Sequence, residues 1–436
     1  MAVRCRRPVG QRGRWAIIPF DQLSAWQDPA VAKRLGWYLD VAENRKSAKF
    51  RIARTVPVAL SLADAPEDAL WDELDRLTPV FVERWRRVRE TGAALSDPPP
   101  GPHLLSLCRE LAYRMLAHCN FCRWNCRVDR TKGTKFGTCK LGSDTRVSTY
   151  FHHMGEELVY RGLRGSGTIF FTSCNMRCAF CQNGDISTDK DNGMVADART
   201  LATMAWLLRM EGCHNINWVG GEAVIHLHTI VDAIALLGGE MARPDAGDVR
   251  RALPVKSDPF TLTSLVSECG TYAGEFNAPM LWNSNFFMTA EAMKILRILM
   301  DVWLPDFKFG PGRCAITLAR TPRYWEAVTE NLAQIHRWGE DFTIRHLVMP
   351  NHVECCTYPV LDWIAENMPD VPVNIMDQYH PDNFTDPCNP GYEARYADIA
   401  RRLTRDEVRD SYRYAERLGL KYETITHEKN TMGLFV

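Results

Sequence analysis

The sequence predicts an α/β fold, a partial (β/α)6 barrel over residues 160–400. From residue 168 on, six short β-prone segments each precede a longer amphipathic segment, and this alternation is typical of parallel strands joined by right-handed crossovers. Most of these segments end in polar groups, as strands of βα barrels do where their loops carry the chemistry. Six units favour a partial barrel over an open doubly wound sheet, although periodicity alone does not decide between them.

The six predicted strands are short runs of apolar and β-branched or aromatic residues with polar groups at their ends. They cover 168–173, 215–219, 279–284, 302–308, 342–348 and 371–377. Between them, apolar residues recur at helical spacing, for example over 198–212, 289–300 and 356–368. The polar strand ends are therefore expected to meet at one edge of the sheet.

Three further regions flank or interrupt the predicted barrel. Residues 1–100 are predicted to form a helical extension, to which the sequence assigns no role. Residues 240–276 form a long polar insertion, which is consistent with a lid, a partner surface or a tolerated loop. Residues 401–436 are predicted as a final helix and tail, and the helix begins at Thr404 with Glu407 three residues later, as in a capping box.

Composition and charge narrow the class of protein. Of the 436 residues, 46% are hydrophobic and 24% are charged, as in ordinary globular proteins. Basic and acidic residues number 53 each, so the net charge indicates neither nucleic acid nor an anionic membrane as a partner. The sequence contains no apolar run long enough to span a membrane and no secretory signal, which predicts a cytoplasmic protein. Its fifteen cysteines are then not expected to form disulfides.

Three of these cysteines lie in a loop directly after the first predicted strand. Cys174, Cys178 and Cys181 are spaced C-x3-C-x2-C, and no histidine lies in the loop. Thiolates are the ligands that iron–sulfur clusters require. Three cysteines leave one iron of a four-iron cluster open for a chelating substrate, whereas a tetrahedral zinc site would lack its fourth ligand. The spacing therefore favours an open 4Fe-4S cluster.

A second group of cysteines lies upstream, in a predicted metal knuckle over 115–145. Cys119, Cys122, Cys126 and Cys139 are spaced C-x2-C-x3-C-x12-C. Four thiolates can close a tetrahedral zinc site, or they can hold a second iron–sulfur cluster as a structural or electron-relay centre. The residues leave both alternatives open.

The cysteine loop resembles the signature of the radical SAM superfamily, and the chain resembles a subgroup akin to pyruvate formate-lyase-activating enzyme over about 115–420. The runs that carry this resemblance are RGSGTIFFTSCNMRCAFCQN, GCHNINWVGGE, LPDFKFG, RHLVMPNHVECC and NIMDQYHP. It implies that a 4Fe-4S cluster reductively cleaves S-adenosyl-L-methionine to a 5′-deoxyadenosyl radical, which abstracts hydrogen from a substrate. The electron would come from a reductant such as flavodoxin or ferredoxin.

The resemblance also implies which residues contact the cofactor. Phe180 would lie beside the adenine, Glu222 would pair with the methionine ammonium, and Arg345 would bind a carboxylate or form a structural salt bridge. The positions implied in this way are Phe180, Gly220, Gly221, Glu222, Asn283, Ser284, Asp306, Lys308 and Arg345. Asp306 and Lys308 would contact either cofactor or substrate.

The substrate stays open between a protein residue, as for a glycyl radical enzyme activase, and a small molecule. In those activases the extra cysteines follow the first three, whereas here they precede them. Two other functions remain: an RNA-modifying radical enzyme, with the basic residues beside the knuckle as the contact surface, or a non-catalytic iron–sulfur or zinc scaffold.

The remaining candidates are weaker. His352, Cys355 and Cys356 could form a catalytic thiol or ligand site, or they could be structural. His226 and His228 could contact substrate, or they could be capping or solvent-facing residues. The scattered cysteines are predicted to be small buried hydrophobic residues; they include Cys5, Cys108, Cys269, Cys314 and Cys388.

Overall fold

The computed structural model describes residues 25–244 and 270–426. Most of the predicted 240–276 insertion, the start of the predicted N-terminal extension and the end of the predicted C-terminal tail lie outside these residues. The described chain is a mixed α/β fold around a central sheet. Within it, no helix combines the length and the apolar character that crossing a membrane requires.

Ten strands are present in the described residues. They are β1 Arg146–His153, β2 Ser166–Phe171, β3 Met194–Val195, β4 Ile216–Gly220, β5 Thr271–Tyr272, β6 Glu275–Phe276, β7 Met280–Ser284, β8 Val302–Pro305, β9 Ile344–Leu347 and β10 Val373–Met376. The central sheet has the order β3-β1-β2-β4-β7-β8. Within this sheet the neighbouring strands β2, β4, β7 and β8 are parallel, and β9 pairs in parallel with β10. Parallel bridges from Trp303 to Phe342 and from Asp306 to Arg345 connect β8 to the β9 segment.

Each of the six predicted strands is present within a few residues of its predicted bounds, as β2, β4, β7, β8, β9 and β10. The structure adds β1, which pairs antiparallel with β2 and with the short β3. This strand was not predicted. It precedes β2 in the chain and lies beside it in the sheet, so the sheet departs there from the βα alternation.

The α-helices surround this sheet. Their bounds are Pro29–Arg34, Gly36–Ala42, Lys49–Arg54, Glu67–Thr91, Leu104–Arg114, Leu158–Arg161, Gly184–Thr188, Ala198–Met210, Leu227–Ala235, Ala290–Leu299, Cys314–Ala319, Tyr324–Trp338, Tyr358–Asn367 and Arg405–Arg417. The last of them begins with the predicted capping box, in which the Glu407 amide donates to Thr404 Oγ1 at 3.2 Å and the Thr404 amide to Glu407 at 2.8 Å.

Tryptophans form a ladder on the face of the sheet that the helices cover. Trp218, Trp282 and Trp303 are in register on the adjacent strands β4, β7 and β8, and all three are fully buried. Burial of a large apolar side chain stabilises a fold by about 1.5–3 kcal/mol. Because side chains alternate along a strand, the neighbouring Asn217 and Asn283 point to the opposite face of the sheet, where a polar interior forms.

The N-terminal helices cover the amino-terminal edge of the sheet. Trp37 Nε1 donates to Asp301 at 2.9 Å just before β8, and the Tyr38 amide donates to Asp341 at 3.0 Å just before β9. Lys49 Nζ lies 2.5 Å from Glu340 Oε2, and neither side chain is more than 1% exposed. The opposite edge, at the carboxyl ends of the strands, is thereby left to the loops that carry the predicted site.

Candidate functional site

The three-cysteine loop follows β2 and is held by backbone hydrogen bonds on both sides. Its first residue, Ser173, has a φ of 65° and donates its amide to Ile186 O at 2.7 Å. The amide of Ala179 donates to Leu318 O at 2.7 Å, and its carbonyl accepts from the amide of Phe384 at 3.0 Å. The loop is therefore a fixed element between the helix that ends at 319 and the segment at 384.

Burial sets the protonation of the three thiols. It raises the pKa of Cys178 to about 12, against the opposing charge of Lys308. Burial likewise holds the pKa of Cys174 and of Cys181 above the ordinary value. Thiols in such surroundings ionise when a cationic centre binds them and displaces their protons. Three clustered soft donors of this kind fit an iron–sulfur cluster.

Gly220 and Gly221 allow the end of β4 to press against this loop. Gly220 has a φ of 123°, and a Cβ there would lie 2.2 Å from the amide nitrogen of Phe171. A Cβ on Gly221 would lie 1.7 Å from the carbonyl oxygen of Ser173. A side chain at Gly220 would displace the end of β2, and one at Gly221 would displace the start of the cysteine loop.

Glu222 is only 2% exposed and lies between the cysteine loop and the end of β7. Its carboxylate accepts from Ser284 Oγ at 2.8 Å, from the Asn285 amide at 2.9 Å and from the Val224 amide at 3.2 Å. All three donors are neutral, and burial raises the pKa of Glu222 to about 7. The strand ends of β2, β4 and β7 thus meet around one carboxylate that has no cationic partner among these contacts.

Asn175 and Asn285 belong to the same site and were missed in the sequence analysis. Asn285 Nδ2 donates to Asn175 Oδ1 at 2.7 Å and lies 3.7 Å from Cys174 Sγ. Asn285 directly follows the predicted Asn283 and Ser284, so its position at a polar strand end was the available signal. The pair connects the cysteine loop to the loop after β7.

Arg345 lies at the centre of a network of buried polar side chains. Its Nε donates to Asp306 at 3.0 Å, its Nη1 lies 3.4 Å from Glu156, and its Nη2 contacts Asn283 Oδ1. Lys308 Nζ also contacts Asp306. Burial alone would raise the pKa of Asp306, but Arg345 and Lys308 together lower it. The structure therefore gives Arg345 the salt bridges that were its structural alternative, and it adds Glu156, for which the sequence carried no signal.

Phe180 is 3% exposed and packs in an aromatic group at the same edge. Its ring centroid lies 6.0 Å from that of Phe309 and 6.0 Å from that of Tyr379. The Tyr379 hydroxyl donates to Ile399 O at 2.8 Å. These contacts fix the Phe180 ring next to the last cysteine of the loop.

The four-cysteine group packs directly against the three-cysteine loop. Cys139 O accepts from Ser173 Oγ at 2.6 Å, and Trp124 Nε1 donates to Asn175 O at 2.7 Å. Within the group, a Cβ on Gly137 would lie 2.7 Å from Cys126 Sγ, so only glycine lets these two segments approach. Cys119 and Cys122 are buried at its centre.

A buried guanidinium next to the four-cysteine group indicates that this group carries a negative charge. Arg130 is 1% exposed, and it donates to the backbone oxygens of Gly142 and Ile225 at 2.8 Å each. Within residues 25–244 and 270–426 its Nη2 has no hydrogen-bond partner, and its charge opposes the burial that raises the pKa of Cys119. Because a buried cation needs a compensating anion, Arg130 fits four cysteines that are ionised by a bound metal.

His226 and His228 are buried. His226 Nε2 is 3.0 Å from Thr172 O, and His228 Nε2 is 2.7 Å from Ser143 O. Burial lowers the pKa of His226 to about 3, so it is neutral. Both histidines serve packing, which contradicts a solvent-facing position.

The prediction for the scattered cysteines is confirmed only in part. Cys108 is buried as predicted, whereas Cys388 is exposed. Cys314 is half-buried and its sulfur lies 3.4 Å from His352 Nδ1, so it is not a simple hydrophobic residue. Cys5 and Cys269 lie outside the described residues.

A search of curated proteins finds a relative across nearly the whole chain. The uncharacterized protein MJ0674 of Methanocaldococcus jannaschii is 32% identical over 394 residues, which cover 89% of this chain and 98% of the relative. No family model matches the chain.

Solved structures show weaker similarity. SuiB of Streptococcus suis bound to the precursor peptide SuiA aligns with 12% identity and a TM-score of 0.35, over 58% of this chain and 46% of SuiB. The structure of anSMEcpe with bound S-adenosylmethionine and a peptide aligns with 12% identity and a TM-score of 0.30, over 52% of this chain and 55% of that one. The chain thus spans about half the length of these structures.

Proposed function

The chain belongs to the family of the uncharacterized protein MJ0674 of Methanocaldococcus jannaschii. We propose that this chain is a radical SAM enzyme. Cys174, Cys178 and Cys181 would hold a 4Fe-4S cluster with one open iron. Such a cluster, when bound and reduced, supplies the electron that splits S-adenosyl-L-methionine.

One observation carries this proposal: the ends of β2, β4 and β7 converge on a single buried carboxylate beside the cysteine loop. Glu222 accepts from Ser284 and from the Asn285 amide, while Asn285 reaches toward Cys174. A methionine that chelated an open iron through its amino and carboxylate groups would place the amino group close to the cysteine loop. Glu222 is the carboxylate available there to accept a hydrogen bond from that amine.

The other strand-end residues would position the rest of the cofactor. Phe180, held in its aromatic group, offers a ring face to adenine. Gly220 and Gly221 bring the backbone close to the cysteine loop. Asn283 and Ser284 would contact the ribose or carboxylate, Asn283 through the second N–H of the amide that already donates to Glu156, and Ser284 as an acceptor, since its hydroxyl donates to Glu222.

Asp306, Lys308 and Arg345 would act as a positioning group at the next strand ends. Arg345 already contacts both Asp306 and Glu156, so it would orient those carboxylates more readily than bind another. Lys308, which contacts Asp306 and lies near Cys178, is the cation of this group nearest the cysteine loop. We assign it contact with cofactor or substrate.

We further propose that the six parallel strands curve into a partial (β/α)6 barrel over 160–400, preceded by the 115–145 knuckle. The contacts of Glu156 support this curvature. It accepts from Asn217 on β4 at 2.8 Å and from Asn283 on β7 at 3.2 Å, and it reaches Arg345 on β9. In a flat sheet β4 and β9 would lie about 14 Å apart, so one carboxylate would not span them easily.

The substrate class, protein residue or small molecule, stays open within this proposal, and so does zinc against a second cluster at the four cysteines. A reductant such as flavodoxin or ferredoxin would deliver the electron. The basic residues beside the knuckle give an RNA-modifying role only weak support. Arg123 pairs with Glu330, Lys132 pairs with Asp129 and Arg130 is buried, which leaves Arg127 and Lys135 exposed.

The direct test measures 5′-deoxyadenosine after anaerobic reconstitution with iron and sulfide, reduction with dithionite and addition of S-adenosyl-L-methionine. We expect product from the parent chain and from Cys388→Ala, which removes an exposed cysteine. Cys178→Ala should form at least about 100-fold less, because it removes a ligand of the cluster. Equal product from Cys178→Ala would contradict the proposal, and no product from a parent chain with a reducible cluster would favour the non-catalytic scaffold.

A further inference from the structure

A third group of metal-ligand side chains forms where the loop after β8 meets the loop after β9. Cys314 is the first residue of the helix 314–319, and His352, Cys355 and Cys356 lie in or next to the π-helical turn 353–357. In the part of the chain that the structure describes, this is the group whose ligand atoms all lie within 4.8 Å of one another.

The distances match those of a tetrahedral single-ion site. Cys314 Sγ lies 3.6 Å from Cys355 Sγ and 3.4 Å from His352 Nδ1, and His352 Nδ1 lies 3.2 Å from Cys355 Sγ. A tetrahedral zinc ion with bonds of about 2.3 Å to sulfur and about 2.0 Å to nitrogen separates its ligands by about 3.5–3.8 Å. A four-iron cluster would hold its thiolates farther apart.

The histidine is oriented as a ligand. Its Nδ1 faces the sulfurs, while its Nε2 lies 3.4 Å from Asp398 Oδ2, within ion-pair distance but without the geometry of a hydrogen bond. Metal-ligating histidines commonly present their other ring nitrogen to a carboxylate, which fixes the ring and strengthens the ligand. Asn351 holds the same segment in place, because its Nδ2 donates to Asp398 O at 2.6 Å.

The two loops are closely packed, and the site is open on one side. A Cβ on Gly310 would lie 2.1 Å from Cys355 O, so only glycine lets the loop after β8 approach the turn. Cys356 is 1% exposed, whereas Cys355 is exposed to solvent. An ion could therefore enter from solvent past the exposed Cys355 and be bound on its buried side by Cys356.

We infer that Cys314, His352, Cys355 and Cys356 bind a zinc ion, at a site separate from both predicted cysteine groups. Three thiolates and one imidazole complete a tetrahedral shell, which is the pattern of a structural zinc site. The ion would join the loops after β8 and β9. It would also anchor the helix 314–319, whose Leu318 and Ala319 carbonyls accept from the three-cysteine loop.

The test counts zinc and iron per chain by elemental mass spectrometry in the full-length protein. We expect Cys355→Ser to lose one equivalent of zinc relative to the parent, with iron unchanged. Cys388→Ser, the matched control at another exposed cysteine, should keep the parent's zinc. This difference is expected whether the four-cysteine group holds zinc or a cluster, since that group is intact in both variants.

A second variant leaves all four ligands in place. Asp398→Asn removes the carboxylate behind His352, and it should weaken zinc binding by about 10- to 100-fold in competition with a chelator. Unchanged zinc in Cys355→Ser would overturn the inference, and so would a disulfide-linked peptide that joins Cys314 to Cys355 in a digest of the parent. The metal count does not depend on 5′-deoxyadenosine formation, so it stands or falls separately from the radical chemistry.

Discussion

The two edges of the sheet both bury charged groups, but they compensate that charge differently. At the amino-terminal edge, Glu340 pairs with Lys49, Asp341 pairs with Arg89 at 2.9 Å, and the charge of Lys49 also acts on Asp301. At the carboxyl-terminal edge, Asp306 pairs with Arg345 and Lys308, whereas Glu222 accepts from three neutral donors and burial raises its pKa to about 7. A buried carboxylate that the fold itself does not neutralise indicates where a cationic ligand binds. The amino-terminal edge accordingly stabilises the fold, and the opposite edge is suited to binding.

The largest effect is expected from breaking the ion pair at the amino-terminal edge. Lys49→Ala would leave Glu340 buried without its cation, which should lower the free energy of unfolding by about 3–5 kcal/mol. Urea denaturation would measure this loss. The double replacement Lys49→Met with Glu340→Leu removes both charges but also takes the acceptor from the buried Trp303 Nε1, so it should cost about 1–3 kcal/mol. A loss as large as that of Lys49→Ala would contradict the role assigned to the pair.

Acidification tests the buried titratable groups of both edges together. Burial lowers the pKa of four histidines below the unfolded value of 6.5, so the stability they contribute is complete above pH 6.5 and is lost as the pH falls. They are His214, His226, His228 and His346. Three carboxyl groups act in the opposite direction, because burial raises the pKa of Asp301 and of Asp341 to about 6 and that of Glu222 to about 7. Their contribution grows as the pH falls through those values.

The histidines should dominate this balance. Each costs about 1.4 kcal/mol per pH unit below 6.5, so between pH 7.5 and pH 5.5 we expect a net loss of roughly 2 kcal/mol after the smaller gain from the three carboxyl groups. Unfolding in urea at both pH values measures it. Higher stability at pH 5.5 would mean that the histidines are already charged in the folded protein.

Glu222→Gln should separate binding from stability. Without the charge, the affinity for S-adenosyl-L-methionine should fall by about 10- to 100-fold, the range of a charge-assisted hydrogen bond. The free energy of unfolding should fall by no more than about 1–3 kcal/mol, because the Gln nitrogen leaves one of the two backbone amides that donate to Glu222 without an acceptor. Equilibrium binding to the reconstituted protein would measure the affinity, and an unchanged affinity would remove Glu222 from the cofactor site.

The smallest effect is expected where the two cysteine groups touch. Trp124→Phe removes the hydrogen bond to Asn175 O while keeping an aromatic ring, and it should cost about 1 kcal/mol. Iron per chain should stay at the parent value. Loss of iron would show that the contact holds the cluster loop in place.

The strands and the three-cysteine loop could be predicted because their signals are local. Apolar runs alternate with amphipathic segments, and C-x3-C-x2-C lies in one loop. The GGE turn could also be predicted from the sequence. The reason it needs glycine could not, because a Cβ on Gly221 would lie 1.7 Å from Ser173 O, in a segment distant along the chain. The metal contents and the cofactor roles of the individual residues remain predictions.

What escaped prediction depends on contacts between distant segments. Cys314 lies 38 residues before His352 in the chain, so no spacing pattern links them, and a lone cysteine in a sequence resembles a small hydrophobic residue. Glu156 gave no signal because its partners are on three separate strands. The role of the N-terminal helices likewise depends on partners such as Asp301, 264 residues from Trp37.

The central claim is that the carboxyl-terminal edge binds S-adenosyl-L-methionine at an open iron. The most direct measurement is the EPR spectrum of the reduced, reconstituted protein before and after this cofactor is added. We predict that the cluster signal of the parent chain changes on addition of S-adenosyl-L-methionine, because under this proposal the cofactor would coordinate the cluster itself. A signal that is identical with and without saturating cofactor would contradict the claim.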